Sequence, residues 1–420
     1  MRILFVVDGR SPIALNWINY FVEQGDEIHL ATTFSCQPNM RLASFHVVPV
    51  ALSAAKKGDA ISPGQSGRRE GIIWGARMVG LRTRIRQWAG PLTLPRSAPI
   101  LRELIREIQP DLIHAMRIPF ESMLASTALE PHDHTSRRLG ALPLLVSVWG
   151  NDFTLHAPAT PLMKHYTRRA LYRADGLHTD CQRDLHLAHA WGFSQGKPAA
   201  VLPGAGGVQP EIFHPPTQTE RRAKNSDPPL VINPRGFRAY VRNDTFFQSI
   251  PLVLKSNPRV QFVCPAMAGE PRAQRWVSEL GIEQAVTLLP HQSRSEMADL
   301  FRGSRVAVSP TTHDGTPNTL LEAMACGCLP IAGDLESLRE WIVPGENGFL
   351  ISPADPHDLA DAILQAIGQP ELLNQAEEQN LNLINERALY PQVMAQAKAF
   401  YQDLISQVGP PSQLGSRDFS

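Results

Sequence analysis

Three features of the sequence predict an α/β protein of two successive nucleotide-binding-type domains. The chain opens on an apolar strand, an amphipathic helix and a second strand. The same alternation restarts near residue 230, and a polar, proline-rich stretch separates the two halves. A length of 420 residues also exceeds what a single hydrophobic core usually serves.

The elements follow in order. Residues 2–7 read as a buried strand, Asp8 to Pro12 as a polar loop, Ile13 to Gln24 as a helix closed by Gly25, and Glu27 to Thr32 as the second strand of a βαβ unit. Further strands are predicted at 45–50, 111–116, 143–149, 176–179 and 200–202, so the first domain covers 1–207. Residues 208–229 show no helix face and are expected to form the linker. Strands at 230–233, 260–264, 286–289, 305–309 and 329–332 define a second domain over 230–385. A helical period at 386–406 is read as a C-terminal helix that could cross back to the first domain, and 407–420 as a frayed tail.

Composition removes several function classes. Forty basic against forty acidic residues give no global charge argument for a nucleic-acid partner. The cysteines Cys36, Cys181, Cys264, Cys326 and Cys328 form no CxxC pair of the zinc or redox kind and fit a reducing cytoplasm. No apolar run reaches the roughly 20 residues of a spanning helix, and the first residues lack the apolar core and cleavage site of a signal peptide. The expectation is a cytoplasmic protein, peripheral to a membrane at most.

Ligands of paired α/β domains sit outside the carboxyl ends of the strands. The first loop reads DGRSP rather than GxGxxG, and no GxxxxGK[ST] is present, which disfavours hydride transfer and P-loop chemistry. The informative stretch is 305–328, RVAVSPTTHDGTPNTLLEAMACGC, a strand that empties into a loop and then a helix. Thr316 is predicted as N-cap, Pro317 as first helical residue and Gly327 as the left-handed terminator. Such a helix start suits a diphosphate. Asp314 precedes it, and Glu322 lies within it, about 8 Å along the axis from its start. Each could accept two polyol hydroxyls, or serve as a turn acid and a solvated helix residue respectively.

The sequence DGTPNTLLEAMACG, followed by PIAGDLESLREWIVPGENGFLISPADPHDLADAI, resembles retaining glycosyltransferases of family 4, which have two Rossmann-like domains facing a cleft, the GT-B fold. Asp314 and Glu322 keep the spacing of that family's two acids, with the first shortened from the usual glutamate. The resemblance implies that Asp314 meets donor-sugar hydroxyls, the backbone from Gly315 through Thr316, Pro317 and Asn318 meets sugar and diphosphate, and Glu322 meets the ribose. It further implies a basic pair after the first strand of the C-terminal domain, for which NPRGFRAYVRND offers Arg235 and Arg242; the same loop could be merely salt-bridged surface. In place of the family's His-Gly-x-Asp stand Trp149, Gly150, Asn151 and Asp152, so Asn151 and Asp152 are the candidates on the acceptor side, unless Asp152 caps a helix. Arg10 in the first loop is a third.

By the same resemblance the donor is a nucleotide sugar, UDP- or GDP-linked, and the acceptor a glycan, a lipid-linked sugar or a small molecule. Transfer retains configuration without metal or cofactor, in keeping with the lack of a DxD at a strand end. An epimerase of the same fold and a non-catalytic binding subunit are the competing readings. Residues 68–92 form a separate feature, in which Trp74, Met78, Leu81, Ile85 and Trp88 recur at helical spacing among arginines. The stretch could lie on an anionic membrane or pack on its own domain.

Overall fold

A computed structural model describes residues 1–51, 53, 85–130, 140–226 and 228–408. Two compact units emerge. Unit 1 comprises Met1–Asp180, Asp184–Ala205 and Met394–Ser420; unit 2 comprises Cys181–Arg183 and Gly206–Val393.

Unit 1 is built on a seven-stranded parallel sheet of β1 (Arg2–Val7), β2 (Glu27–Thr32), β3 (Ser44–Val47), β4 (Leu112–Met116), β5 (Leu144–Val148), β6 (Gly176–Thr179) and β7 (Ala199–Val201), ordered β3-β2-β1-β4-β5-β6-β7. Strands β4 and β5 are buried along their whole length, and β1 from Ile3 onward, because helices cover both faces. Register follows the apolar pattern, with Ile3 opposite Ile28 on one side and Leu112 on the other. Burial of a side chain such as Phe5 contributes about 1.5–3 kcal/mol. The first helix runs Pro12–Glu23 with Ser11 as its side-chain cap, and Gly25 supplies the left-handed exit at φ +77°.

The sheet carries a buried polar chain. The His178 ring has Nε2 at 2.9 Å from the Leu202 carbonyl, which can only accept, so this nitrogen holds the proton and Nδ1 accepts from Ser147 Oγ at 2.8 Å. Ser147 must then accept from His114 Nε2 at 2.6 Å, and His114 Nδ1 from the Tyr401 hydroxyl. Tyr401 in turn accepts from Trp17 Nε1 at 2.8 Å. Burial lowers both imidazoles, that of His178 to about 4, which keeps them neutral and fixes the direction of every proton.

Unit 2 is a six-stranded parallel sheet of β8 (Leu230–Ile232), β9 (Gln261–Cys264), β10 (Val286–Leu288), β11 (Val306–Ser309), β12 (Leu329–Gly333) and β13 (Phe349–Ile351), ordered β10-β9-β8-β11-β12-β13. The sequence reading missed β13, a three-residue strand too short to show a pattern. Cys264, Cys326 and Cys328 are buried and unpaired by any disulfide.

The expected linker at 208–229 needs correction, since Gln218–Ser226 is a helix within unit 2. Polar contacts seat it where no apolar face could. Glu220 accepts from Arg302 at 3.1 Å, Arg221 meets Glu377 at 2.7 Å, and Lys224 donates to the Gly327 carbonyl at 2.8 Å. Thr217 and Glu220 bond each other's backbone N–H, a capping box visible in the sequence as TQTE. The glycine cluster at 204–207 serves packing. Gly207 has φ +90°, and a Cβ there would lie 2.2 Å from the Ala388 carbonyl oxygen, beside the bridge of Val208 to Leu389. Helices Pro370–Arg387 and Tyr390–Val408 replace the single one expected at 386–406, and residues 409–420 of the expected tail lie outside the described residues.

Candidate functional site

Strand order reverses between β8 and β11 in unit 2, so the loops after these two strands diverge around the carboxyl end of the sheet, the place where open α/β sheets take ligands. Backbone bonds stitch the two loops together. Arg242 N donates to the Pro310 carbonyl at 2.9 Å, Thr312 N to that of Tyr240 at 2.8 Å, and Val241 bridges Thr311.

The β8 loop sends Arg235 across to the β11 loop. Its Nη2 donates to Asp314 Oδ2 at 2.6 Å and its Nη1 to Thr319 Oγ1 at 3.2 Å, leaving Nε buried with no partner among the described residues. Burial raises the Asp314 carboxyl above the ordinary aspartate value, while Arg235 and the Gly315 N–H pull it back. The Asp314 carbonyl accepts from Ser337 Oγ at 2.8 Å and from Arg183 at 2.6 Å, which pins the loop from behind.

The helix that follows begins at Asn318, one residue later than expected, with Pro317 rather than Thr316 at the cap position. The reason is that the Thr316 hydroxyl is engaged elsewhere, accepting from Trp341 Nε1 at 3.0 Å. With no side-chain cap, the helix start keeps N–H groups and the positive end of its dipole for an anion. Gly327 ends the helix at φ +74°. Glu322 is therefore its fifth residue, about 6 Å along the axis. Only 17% of its side chain is exposed, with Arg294 Nη2 at 3.7 Å, and burial raises its carboxyl to about 7 against the pull of that arginine. Arg235, Asp314, Gly315, Thr316, Pro317, Asn318 and Glu322 thus belong to one locality.

Arg242 does not join them. Its guanidinium forks onto Asp244 at 2.8 and 2.7 Å. Beyond Arg235, the charges acting on Asp314 are those of Arg183 and, more weakly, the exposed Arg238, a residue the sequence reading passed over within the same segment. Arg183, Ser337 and Trp341 were also missed, since no local motif marks them.

In unit 1 the reversal falls between β1 and β4. After β1, Arg10 forks onto Asp8 at 2.9 and 2.8 Å. After β4, Arg117 adopts φ +119°, a region side chains avoid at a cost of order 1–3 kcal/mol. It is held there by Asp152 Oδ1 at 3.0 Å and Asn151 Oδ1 at 3.1 Å. Asp152 is wholly buried, and its other oxygen accepts from the N–H groups of Ile118 and Trp149, both at 3.2 Å. It ties loops together, capping no helix and facing no solvent. Of the 68–92 stretch, residues 68–84 lie outside the described residues; Ile85, Trp88 and Leu92 are exposed at 44, 61 and 64%. Among the described residues no helix is long and apolar enough to cross a membrane.

Residues 216–382 match the family model described as glycosyl transferases group 1, and residues 11–204 match the glycosyl transferase 4-like domain. The chain belongs to this glycosyl transferase family, of the family 4 type, and has the GT-B fold. The chain is 33% identical over 95 residues to a D-inositol 3-phosphate glycosyltransferase of Gordonia bronchialis, covering 23% of this chain and 21% of the relative. With the enzyme of that description from Mycolicibacterium smegmatis it shares 24% over 261 residues, 60% of this chain and 57% of the other. The chain thus spans between about a fifth and just over half of these curated relatives. Among solved structures it is similar to sucrose-phosphate synthase from Thermosynechococcus elongatus, with TM-score 0.70, 15% identity and coverage of 97% of this chain and 100% of the other. It is also similar to Anabaena HepE in complex with UDP, with TM-score 0.69, 12% identity and coverage of 96 and 100%. At these identities the likeness is one of fold.

Proposed function

We propose that this glycosyltransferase moves a sugar from a nucleoside-diphosphate donor held on unit 2 to a hydroxyl of an acceptor taken by unit 1, with retention of configuration. The observation that carries the reading is the meeting of Arg235, Asp314 and an uncapped helix start, with Glu322 farther down the same helix. An arginine and helix N–H groups suit a diphosphate, and the two enclosed carboxyls are spaced for two polyols, a sugar ring and a ribose. The UDP carried by Anabaena HepE supports a uridine donor, with a GDP-sugar as the other choice.

In the reaction the bond between anomeric carbon and diphosphate oxygen lengthens first, placing positive charge on the ring and negative charge on the leaving group. The Asp314 carboxylate faces the former; Arg235, Arg238 and the helix N–H groups face the latter. The acceptor oxygen then bonds to the anomeric carbon from the same face, and its proton passes to the departing phosphate oxygen. No protein base, metal or cofactor is required by this route. The acceptor is a glycan, a lipid-linked sugar or a small molecule, reached from the cytoplasm. The exposed Ile85, Trp88 and Leu92 favour a peripheral contact of the 68–92 stretch with an anionic membrane.

Purified protein would be screened by thermal shift with UDP-, GDP- and ADP-sugars, since a ligand at 100 times its Kd stabilises by about 2.7 kcal/mol. The stabilising donor is then incubated with and without acceptors. Sugar transfer that depends on acceptor supports the reading, whereas interconversion of the donor alone would establish an epimerase and overturn it.

A further inference from the structure

Around the switch point of unit 1, cations gather in a way that its own carboxylates do not explain. The guanidinium of Arg10 stands 3.5 Å from the centroid of the Phe34 ring and that of Arg86 stands 4.8 Å from the same centroid. Two like charges thus share one ring. Burial lowers the proton affinity of Arg86, and the charges of Arg10 and of Arg117, from the loop after β4, add to that effect. Arg10 has Asp8 and Arg117 has Asp152, but among the described residues no carboxylate pairs with Arg86. Its Nε is buried without a hydrogen bond, and its charge rests on Phe34 and on the Phe120 ring at 5.2 Å.

The remaining acid, Glu121, is turned away. Its two oxygens accept from Thr33 Oγ1 and from the Phe120 N–H, each at 2.7 Å, and burial raises it to about 7, so near neutrality it offers Arg86 only part of a charge. Withdrawing a guanidinium partly from water beside two like charges costs free energy, which a bound anion would offset.

We propose that Arg10, Arg86 and Arg117 form a binding site for a phosphoryl group, and that this group is carried by the acceptor. Guanidiniums arriving from three separate segments suit a tetrahedral dianion, which accepts from several directions, better than a planar carboxylate. Placement outside the carboxyl ends of β1 and β4 leaves a hydroxyl of the same molecule free to be glycosylated. The assignment to the acceptor rests on the transferase reading; the anion site itself does not.

Calorimetry with inorganic phosphate, glucose 6-phosphate, glucose and glucuronate tests both parts. Glucose 6-phosphate is expected to bind at least tenfold more tightly than glucose or glucuronate and more tightly than phosphate alone, showing that the ion belongs to a sugar. Arg86→Gln should weaken it at least tenfold. Arg10→Gln, at a half-exposed guanidinium whose loss leaves the fold intact, should weaken it severalfold. Arg235→Gln in unit 2 should leave it unchanged. Binding that is lost in Arg235→Gln and kept in Arg86→Gln would place the anion in unit 2 and overturn the proposal, as would equal binding of glucose. Absence of donor turnover alongside Arg86-dependent binding would remove the transferase reading and keep the site.

Discussion

Arg235 Nη2 lies 2.6 Å from Asp314 Oδ2, so the cation suited to a diphosphate and the acid suited to the sugar hold each other. Both are largely enclosed, with side-chain exposures of 9 and 15%. Donor binding has to divide Arg235 between this carboxylate and phosphate oxygens, which couples the two halves of the donor.

Removing the acid therefore releases the cation. Asp314→Ala is expected to leave affinity for the free nucleotide unchanged or modestly higher, while kcat and kcat/KM fall together by 10²-fold or more, as for a contact that strengthens in the transition state. Asp314→Asn should be impaired similarly if charge is what matters. Nucleotide calorimetry beside steady-state kinetics decides, and a matched loss of nucleotide affinity in Asp314→Ala would refute this division of labour.

Removing the cation is the harsher change. Arg235→Met leaves Asp314 enclosed without its partner and is expected to cost about 3 kcal/mol of stability by urea denaturation, in the range for breaking a buried pair. The double variant with Asp314→Leu should recover much of that loss but no activity.

Glu322 and Glu121, both raised to about 7 by burial, make stability depend on pH in a definite direction. The folded state keeps these protons where the unfolded chain has lost them, so each group subtracts stability as pH rises from the ordinary glutamate value towards 7. His178, lowered to about 4, acts oppositely and subtracts stability as pH falls from its ordinary value towards 4. Glu322→Gln should therefore gain stability relative to the parent between pH 5 and 7, measured by chemical denaturation across that range, and should weaken nucleotide binding tenfold or more if the carboxylate takes the ribose. A parallel pH profile would refute the burial argument.

Tyr401→Phe tests the buried chain of unit 1. It strands the Trp17 N–H and the His114 Nδ1 acceptor together, for an expected cost of about 1–3 kcal/mol each. Amide exchange should quicken in β1, β4 and β6, while nucleotide affinity stays as in the parent.

Much of this was legible in the sequence because parallel strands buried on both faces leave unbroken apolar runs, as at ILFVV after Arg2 and LLVSV at 144–148. The loop from Asp314 to Asn318 was legible for a related reason, since strand, polar loop and helix follow without interruption. What escaped was set by distant partners or by polarity. Thr316 lost its capping role to Trp341, Arg242 was claimed by Asp244, and the helix at 218–226 is held by Arg302 and Glu377 rather than by an apolar face. Two of these had local cues, the acid two places after Arg242 and the TQTE box at 217–220. The Trp341 bond had none.

The directed chain from Leu202 through His178, Ser147, His114 and Tyr401 to Trp17 also imposes an order of assembly. Trp17, His114, Ser147 and His178 have all left the ribosome long before Tyr401 does. Until that hydroxyl arrives, the nascent sheet of unit 1 carries a buried indole N–H and an imidazole acceptor with nothing to bond. Unit 2, contained almost wholly within residues 206–393, is synthesised in full first. The buried chain of unit 1 therefore cannot be completed until residues that follow all of unit 2 have been made.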